Sequence, residues 1–388
     1  MTNRQQKLFI FAGEPSGDLH GSRLARVLKT TNPDVLLKGI AGPKMRNEGV
    51  NGPLNMEDFE VMGFSDVIFA LPKLYKQFYV VRDFILSSQP DAVVLIDYPG
   101  FNLRLAKALR KKRFNGKLIH YISPSVWAHG KHRIAQMEST LDKLLTIYPF
   151  EASHFNHSTL KVDYVGSPLQ EYISQHSYHP NWRQIIHMPH NSQLVALFPG
   201  SRANEIARNL PIILDAAVLL KENNPELIFG ISCFNDNTKD FLKSNQDKYS
   251  ALQNALYLVP KTFSYELMKS SQCAIAKSGT VTLELALHKC PTVVVYKLSL
   301  INRLYAQYIL KVNLPHYCIV NILAQKEVFP ELIKSGLNAK NLFDLTQSFL
   351  NDTQIRQKCI KTCEQINKSL GTYNANTKAA ASIMGSLR

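Results

Sequence analysis

KLFIFAGEPSGDLHG, residues 7–21, is the stretch that decides the fold class. An apolar run ends in a glycine turn and a helical pattern follows, the order in which many α/β domains begin. The turn lacks the G-x-G-x-x-G spacing of dinucleotide-binding proteins, because Glu14 and then Pro15 follow Gly13, so that proline stands where the second glycine is required. It carries Glu14, Ser16 and Asp18 at the end of the strand, where ligands bind in open α/β sheets. A purely structural turn is the alternative interpretation.

Short apolar runs alternate with helical patterns along the whole chain, and they predict parallel strands. These runs are 7–12, 35–41, 91–97, 117–122, 142–148, 162–165, 194–200, 227–233, 255–259, 273–277 and 291–296. The polar, histidine-rich residues 166–192 predict a linker. We therefore expect two doubly wound α/β domains, 1–170 and 171–350, that face each other across a ligand-binding cleft. Helices are expected over 351–388, where packing back on the first domain is one option.

The composition indicates which partners the chain favours and which kinds of site and segment it lacks. The chain has 388 residues and a formal net charge of +15, which favours anionic partners. The six cysteines form no C-x-x-C pair and lack metal-site spacing, so we expect reduced thiols in a cytoplasmic protein. The N-terminal apolar run is too short for a signal peptide, and no stretch approaches the roughly 20 apolar residues of a spanning helix. Any membrane contact is expected to be peripheral.

FPGSRANEI, residues 198–206, predicts an anion site after the first strand of the second domain. Gly200 lets a ligand approach the backbone, Ser201 offers a hydroxyl, and Arg202 offers a fork of donors. Glu205 falls in the first turn of the predicted helix and is expected to contact the same ligand. A capped helix is the alternative, but an arginine at a helix N-terminus is unfavourable unless an anion lies beside it.

AKSGTVTLELAL, residues 276–287, predicts a second contribution to the same anion site. Ser278, Gly279 and Thr280 open a helix, and three backbone N–H groups with two hydroxyls form a cradle for an anion. Glu284 stands one turn later, within reach of a neighbouring sugar hydroxyl. Helix capping alone is the alternative. Together with Arg202, the motif indicates a diphosphate site, and no Walker lysine pattern is present.

Residues 71–85 and 104–117 are candidates for lipid contact. Leu74 and Phe78 share an apolar helix face, and apolar residues over 59–69 precede it. The basic stretch contains seven Lys or Arg and no acid, and it places three cations on one helix face: Arg104, Lys107 and Lys111. A core helix and a solvated charged face are the alternatives. Side by side, the two features favour an anionic membrane surface.

Six motifs in order along the chain resemble the lipid A disaccharide synthase family. They are AGEPSGDLHG, IDYPGFN (96–102), YISPSVWAHGKHR (121–133), VGSPL (165–169), LFPGSR with its glutamate, and SGTVTLE. The sequence departs from the family at Pro15, where alanine is usual. The resemblance implies two Rossmann-like domains in the glycosyltransferase-B fold, with an acceptor and lipid side in the first domain and UDP-sugar binding in the second. It implies transfer of 2,3-diacylglucosamine from UDP to 2,3-diacylglucosamine 1-phosphate, giving a β-1′,6-linked disaccharide and UDP.

Inversion at the anomeric carbon needs a base for the acceptor hydroxyl and a stabilised leaving group. Asp97 ends a predicted strand and is our candidate base, with a capping carboxylate as the alternative. Glu14 and Asp18 compete for that role, and Ser16 is expected to contact the acceptor. No D-x-D pair is present, so we expect neither metal nor cofactor, with Arg202 and the 278–280 turn neutralising UDP.

Two other functions remain open at this stage. A UDP-sugar 2-epimerase would have the same fold but would not need the apolar residues 59–85. A nucleic-acid-binding protein would need aromatic residues within the basic stretch, which holds only Phe114, so we expect no nucleic acid. The expected location is the cytoplasmic face of the inner membrane, and a homo-oligomer is left open.

Overall fold

The computed structural model describes most of the chain and divides it into two compact units. The described residues are 5–59, 64–127, 132–233, 236–245, 247–297, 315–333, 336–371 and 373–387. The first unit contains residues 1–171 and 370–388, and the second contains 172–369. Each unit has its own parallel sheet, so each is described by itself.

The first unit is built on a six-stranded sheet with the order β2-β1-β3-β4-β5-β6, in which neighbouring strands are parallel. The strands are β1 Lys7–Ala12, β2 Leu36–Ile40, β3 Ala92–Ile96, β4 Lys117–Tyr121, β5 Lys143–Thr146 and β6 Lys161–Tyr164. The helices are α1 Pro15–Thr31, α2 Pro43–Asn47, α3 Phe64–Ser88, α4 Pro99–Lys111, α5 His132–Glu138 and α6 Pro168–Ser174. Short 3₁₀ helices lie at Met56–Phe59 and Glu151–Phe155.

The central strands of this sheet are buried on both faces, which explains their continuous apolar sequence. All five residues of β3 are buried, and β1 is buried after its first residue. Alternate side chains of these strands belong to separate cores on the two faces of the sheet. Such a sheet requires helices on both sides, as the alternation of strands and helices predicts.

The second unit repeats this architecture with the order β12-β11-β10-β7-β8-β9, again parallel. The strands are β7 Leu194–Phe198, β8 Ile228–Cys233, β9 Leu256–Pro260, β10 Cys273–Lys277, β11 Thr292–Tyr296 and β12 Glu331–Ile333. The helices are α7 Trp182–Ile185, α8 Ala203–Asn223, α9 Asp236–Ser244, α10 Ser264–Ser270, α11 Thr280–Leu287, α12 Ile319–Ala324, α13 Ala339–Asn351 and α14 Thr353–Ser369. Short 3₁₀ helices lie at Ser250–Leu252 and Lys261–Phe263. The predicted fold class, two doubly wound Rossmann-like domains, is confirmed.

The chain returns to the first unit after α14. The last helix, α15 Ala375–Gly385, contributes Ala379 and Ile383 to the core beneath β1 and α1. Its first turn is fixed by the backbone N–H of Asn376, which donates to Glu171 Oε2 at 2.9 Å. The expected group of helices over 351–388 is therefore divided, with α14 in the second unit and α15 in the first.

Strand β12, the predicted linker and the cysteines can each be compared with what the sequence predicts. β12 was not predicted, because three residues are too few to show a strand pattern. The predicted linker 166–192 contains α6 and α7, and Arg183 within it donates to the carbonyls of Pro189 and His190. All six cysteines are free and five are buried, as expected for reduced thiols.

Candidate functional sites

The first candidate site lies at the carboxyl ends of the neighbouring strands β1 and β3 of the first sheet. The strand order changes direction between these neighbours, which makes their carboxyl ends a switch point. Gly13 follows β1, and a Cβ atom there would lie 2.8 Å from Cδ1 of Tyr98. Glycine is needed at this position because the Tyr98 ring covers it.

Asp97 and Tyr98 adopt an uncommon backbone conformation directly after β3. Both have φ of 46°, in the left-handed region that non-glycine residues seldom occupy. The turn is held by the buried amide of Asn102 on α4, whose Nδ2 donates to Asp97 O at 2.6 Å and Ile96 O at 3.2 Å. Ile122, after the neighbouring β4, also has a positive φ of 70°. Such clustered strain is a feature of functional sites.

The Asp97 carboxyl lies in an environment that favours its protonated form. Burial raises its pKa, and the backbone N–H of Tyr98 opposes that effect. Glu151 is also close enough to interact with Asp97, and burial raises the pKa of Glu151 to about 7. The N–H groups of Ile147 and Tyr148 donate to Glu151 Oε2 at 3.1 and 3.0 Å and oppose this rise, while the charge of Asp97 adds to it. Two interacting carboxyl groups therefore follow β3 and β5.

Asp18 does not have the role predicted for it as a rival base. Its side chain is 2 % exposed, and its two carboxylate oxygens accept hydrogen bonds from the backbone N–H groups of Lys44 and Met45, both at 3.0 Å. These donors open α2, so Asp18 stabilises the N-terminus of that helix. Because Asp18 is buried and both of its oxygens are engaged, we assign it a structural role, and Asp97 and Glu14 remain the candidates for the base.

Glu14 and Ser16 remain at the predicted edge. Glu14 is the N-cap residue of α1 and is partly exposed, and its charge, together with burial, raises the pKa of Tyr98. Ser16 is exposed in the first turn of the same helix. The structure therefore brings Glu14 to the switch point that holds Asp97 and Tyr98. Residues 128–131 of the motif at 121–133 lie outside the described residues.

The second candidate site lies at the switch point of the other sheet, between β7 and β10. Gly200 follows β7 with φ of 124°, and a Cβ atom there would lie 2.7 Å from Cβ of Glu205. Ser201 and Arg202 are exposed, and Arg202 is the N-cap residue of α8. The buried amide of Asn209 holds this turn by donating to Pro199 O at 3.2 Å. The turn thus presents a cation at a helix N-terminus, as predicted.

The loop after β10 is a narrower anion cradle than the sequence predicts. The backbone N–H of Ser278 donates to Val295 O at 3.0 Å, because Ser278 continues the pairing of β10 with β11. Only Gly279 and Thr280 of the predicted trio remain to offer N–H groups at the start of α11. Both residues are exposed there.

Glu205 and Lys277 connect the two loops of this site. Lys277 Nζ lies 2.9 Å from Glu205 Oε1, and the backbone N–H of Ser201 donates to Glu205 Oε2 at 3.2 Å. Burial would raise the pKa of Glu205, but the hydrogen bond and charge of Lys277 outweigh it and leave the pKa below its ordinary value. Glu205 is therefore engaged with protein groups. We therefore assign Glu205 to holding the two loops together instead of contacting the ligand directly.

Glu284 stands one turn into α11, with part of its carboxylate already held. Tyr265 Oη donates to Glu284 Oε1 at 3.0 Å, and burial raises the pKa of the carboxyl. His288 Nδ1 lies 2.7 Å from the backbone oxygen of Glu284, which only accepts, so this nitrogen carries the proton. Its Nε2 then accepts from Tyr178 Oη at 2.9 Å. The result is a supported carboxylate beside the anion cradle.

The predicted lipid side is partly a core surface. Leu74 and Phe78 pack against the core of the first unit, and Ile85 is fully buried further along the same face. Gln77, on the same helix, is 6 % exposed and donates from Nε2 to Asp58 O at 2.7 Å. The apolar face of α3 is therefore largely covered by protein where it is described. The side chains of residues 60–71 lie outside the described residues.

The basic residues singled out on α4 do face solvent. Arg104, Lys107 and Lys111 are exposed along this helix. By contrast, Arg110 donates to Thr140 O at 3.0 Å and pairs with Asp142, so it belongs to the fold.

Neither a metal cluster nor a spanning helix is found in the described ranges. There, three or more His, Cys, Asp or Glu side chains nowhere gather in a group that could hold a metal ion. Nor is any helix of those ranges long and apolar enough to cross a membrane.

The residues of these sites that were not predicted include Glu151, Lys277 and Tyr265. Glu151 could have been suspected from its position soon after a strand, at the same sheet edge as Asp97. Lys277 directly precedes the SGT turn within a motif already recognised. Tyr265 gave no comparable signal, because its contact with Glu284 spans two helices.

Comparison with known proteins gives one family for nearly the whole chain. Residues 8–384 match the family model described as lipid-A-disaccharide synthetase. The chain is 36 % identical over 364 residues to the lipid-A-disaccharide synthase of Chlamydia pneumoniae, a match that covers 92 % of this chain and 59 % of that protein. It is 33 % identical to lipid-A-disaccharide synthase 1 of Legionella pneumophila, covering 95 % and 94 % of the two chains. The chain thus spans about three fifths of the chlamydial protein.

A solved structure supports the fold independently. The chain resembles the UDP-GlcNAc 2-epimerase of Methanocaldococcus jannaschii, solved with UDP-GlcNAc and UDP, with a TM-score of 0.65 and 15 % identity over 98 % of this chain and all of that one. At this identity the likeness concerns the fold alone, which is of the glycosyltransferase-B type.

Proposed function

The chain belongs to the lipid-A-disaccharide synthetase family, and from that premise we propose that it is an inverting glycosyltransferase. Its donor is UDP-2,3-diacylglucosamine, and its acceptor is 2,3-diacylglucosamine 1-phosphate. The acceptor hydroxyl loses its proton and attacks the anomeric carbon of the donor. The bond from that carbon to the diphosphate breaks, and UDP leaves.

The observation that carries the proposal is Asp97 at the switch point of the first sheet. Asp97 is half-buried and is held on a strained turn by Asn102, and partial burial raises the pKa of its carboxyl. A carboxylate with a raised pKa is a better proton acceptor than one in water. Asp97 is therefore the general base for the acceptor hydroxyl, with Glu14 as its rival and Ser16 as an acceptor contact.

The second unit supplies the groups that bind the leaving UDP. Arg202 and the N-terminal turn of α11 face the diphosphate, where charge grows as the bond to the sugar breaks. Glu284, held by Tyr265, takes a ribose hydroxyl. These groups stabilise the diphosphate in place of a divalent metal ion, and no cofactor takes part.

The test is to incubate the purified chain with both acylated glucosamine substrates and to measure UDP release and the disaccharide by mass spectrometry. The expected result is one disaccharide per UDP, with UDP release dependent on the acceptor. A parallel reaction contains UDP-GlcNAc alone and is analysed for its 2-epimer. Epimer without disaccharide would overturn the transferase proposal in favour of the epimerase.

We further propose that the protein docks on the inner face of the cytoplasmic membrane, where acylated substrates reside. The proposal is supported by the exposed cations of α4, since each cation near an anionic surface contributes about 1 kcal/mol. On α3, Tyr75 is 65 % exposed and Val80 37 %, and they offer a limited apolar contact. Leu74 and Phe78 pack on the core, so they support this surface from behind and are not its main membrane contacts.

Vesicle binding tests the docking proposal. Replacing Arg104, Lys107 and Lys111 together by Gln should weaken binding to phosphatidylglycerol vesicles at low salt. The control replaces three exposed lysines of α14 in the second unit: Lys358, Lys361 and Lys368. Equal loss in both triple variants would mean that net charge alone attracts the vesicles, with no docking face on α4.

A further inference from the structure

Lys277 is a cation of the second switch point that the proposed chemistry has not yet used. It is the last residue of β10, directly before the turn that opens α11. β10 is the immediate neighbour of β7, with Ala276 opposite Phe198. Lys277 therefore lies where the loops after these two strands come closest.

Its partner, Glu205, comes from the other loop. The Lys277–Glu205 ion pair measures 2.9 Å, and the two side chains are 25 % and 20 % exposed, so solvent screens them only in part. Glu205 Oε2 accepts the N–H of Ser201, which precedes Arg202. A single carboxylate thus holds the turn after β7 with one oxygen and the end of β10 with the other.

The backbone around this pair leaves little room for adjustment. Gly200 contacts Glu205 so closely that any larger residue would displace the carboxylate, and its φ of 124° also favours glycine. On the other loop, a Cβ atom at Gly279 would lie 3.9 Å from Lys277 Nζ, so the ammonium lies close to the start of α11. A cation at a helix N-terminus is unfavourable, and Glu205 compensates it.

We propose that the Lys277–Glu205 ion pair is a positioning device for the diphosphate of the donor. It sets the separation between the loop that carries Arg202 and the loop that carries Gly279 and Thr280, so that both contact one diphosphate. Lys277 and Glu205 are positioning residues in this scheme. The inference rests on the proposed function, because it assumes a nucleoside diphosphate in the second unit.

The direction in which one substitution changes UDP affinity distinguishes a positioning role of Glu205 from a purely electrostatic one. Glu205→Gln removes a negative charge beside the binding site of an anion. If Glu205 acted only through its charge, this change would tighten UDP binding. If Glu205 positions the loops, the same change weakens UDP binding, because the amide no longer pairs with Lys277.

The experiment measures the affinity of UDP and of uridine by calorimetry for the wild-type chain, Lys277→Met, Lys277→Arg and Glu205→Gln. Lys277→Met and Glu205→Gln should each weaken UDP binding roughly tenfold to a hundredfold, the scale of a charged hydrogen bond. Lys277→Arg should recover part of the loss. Uridine affinity should stay unchanged, because uridine has no phosphate. The double variant should be little worse than either single one.

A second ion pair of the same unit provides the matched control. Lys289 Nζ lies 2.6 Å from Glu364 Oε1, and both side chains are more exposed than the pair at the switch point. Lys289→Met and Glu364→Gln should leave the affinity for UDP unaltered. A similar loss in this control would show that any ion pair supports binding through general stability, and would overturn the inference.

Three other results would overturn the inference. These are UDP affinities within twofold of wild type in both test variants, tighter UDP binding by Glu205→Gln, and a parallel loss of uridine binding. Failure of the proposed function looks different, because the wild-type chain would then form no disaccharide from the two acylated glucosamine substrates, whatever the UDP affinities of the variants.

Discussion

The switch points of the two sheets have similar backbone designs and opposite chemistry. In each, a buried asparagine on the helix after a strand holds the turn by donating to carbonyls at the strand end, Asn102 in the first unit and Asn209 in the second. The first turn then presents a half-buried carboxyl, Asp97, whereas the second presents an exposed cation, Arg202.

The difference shows how burial assigns roles to two sites of similar backbone design. At the first switch point, burial raises the pKa of Asp97 and Glu151, so protons are held more tightly there. At the second, the Lys277 ammonium keeps the pKa of Glu205 low, so charges are retained. A site that moves a proton and a site that holds an anion require these two environments.

The largest expected effect comes from Asp97→Asn, which tests whether proton transfer is confined to the first switch point. The amide keeps the size of the side chain but cannot accept the proton, so kcat should fall by about 10²–10⁴-fold. The affinity for UDP, measured by calorimetry, should not change. Asp91→Asn, at the opposite end of β3, is the control and should leave kcat close to wild type.

A different outcome would move the catalytic role. If Asp97→Asn raises only the KM of the acceptor, Asp97 contributes uniform binding rather than catalysis. Glu14→Gln should then show the loss of kcat. If neither change slows the chemical step, the catalytic part of the proposal is wrong.

The next effect concerns the second switch point alone. Arg202→Ala should weaken UDP binding and slow turnover by about a hundredfold, the scale of one lost transition-state donor. Arg208→Ala, further along the same helix, is the control and should change neither quantity. Unaltered UDP affinity in Arg202→Ala would remove Arg202 from the diphosphate site.

A smaller effect is expected from Glu151→Gln, measured as the free energy of unfolding between pH 4 and 8. The pKa of Glu151 is about 7 in the folded chain against an ordinary value of 4.5. Its stabilising contribution is therefore complete below about pH 4.5 and is lost as the pH rises through about 7. Glutamine does not titrate, and its oxygen can still accept from Ile147 and Tyr148. The variant should gain on wild type by roughly 3 kcal/mol over that range.

Glu205→Gln should change the pH dependence of the free energy of unfolding in the opposite direction to Glu151→Gln. The pKa of Glu205 lies below its ordinary value, so its contribution is present at neutral pH and is lost as the pH falls below the ordinary value. The buried histidines His20, His120 and His288, whose pKa is lowered to about 4, titrate alike in every chain and cancel in the differences. The same pH dependence in both glutamine variants would contradict the contrast between the two environments.

The smallest effect is expected from removal of divalent metal. In the proposed function, Arg202 and the start of α11 provide the positive charge that a leaving diphosphate needs, so activity should persist in excess EDTA. UDP release is the measurement, with added Mg²⁺ as the comparison. Activity that disappears with EDTA and returns with Mg²⁺ would contradict this view of the leaving group.

Most strands, and the candidate site residues that directly follow them, could be predicted from the sequence. Strand ends place Asp97 and Arg202 at sheet edges, because the carboxyl ends of parallel strands share one edge. Non-local contacts escaped prediction. The hydrogen bonds that engage Asp18 come from backbone 26 and 27 residues away, and Lys277 meets Glu205 over a separation of 72 residues.

Helix α3 shows a different limit. Its apolar periodicity correctly predicts a helix, but periodicity does not reveal what covers the apolar face. Core packing and lipid contact both select large apolar residues at the same spacing. Only the contacts of Leu74 and Phe78 with the core distinguish the two.

The return of the chain to the first unit has a consequence for its synthesis on the ribosome. The strands of the first sheet are translated before the second unit, yet Ala379, Ile383 and other core residues of α15 are translated after it. Until they emerge, the apolar surface between β1 and α1 lacks its covering helix. The second unit, whose residues are continuous from 172 to 369, can complete its core earlier. Of the two units, the one whose synthesis begins first is therefore expected to complete its core after the other, with its unfinished core open to chaperones while the second unit is made.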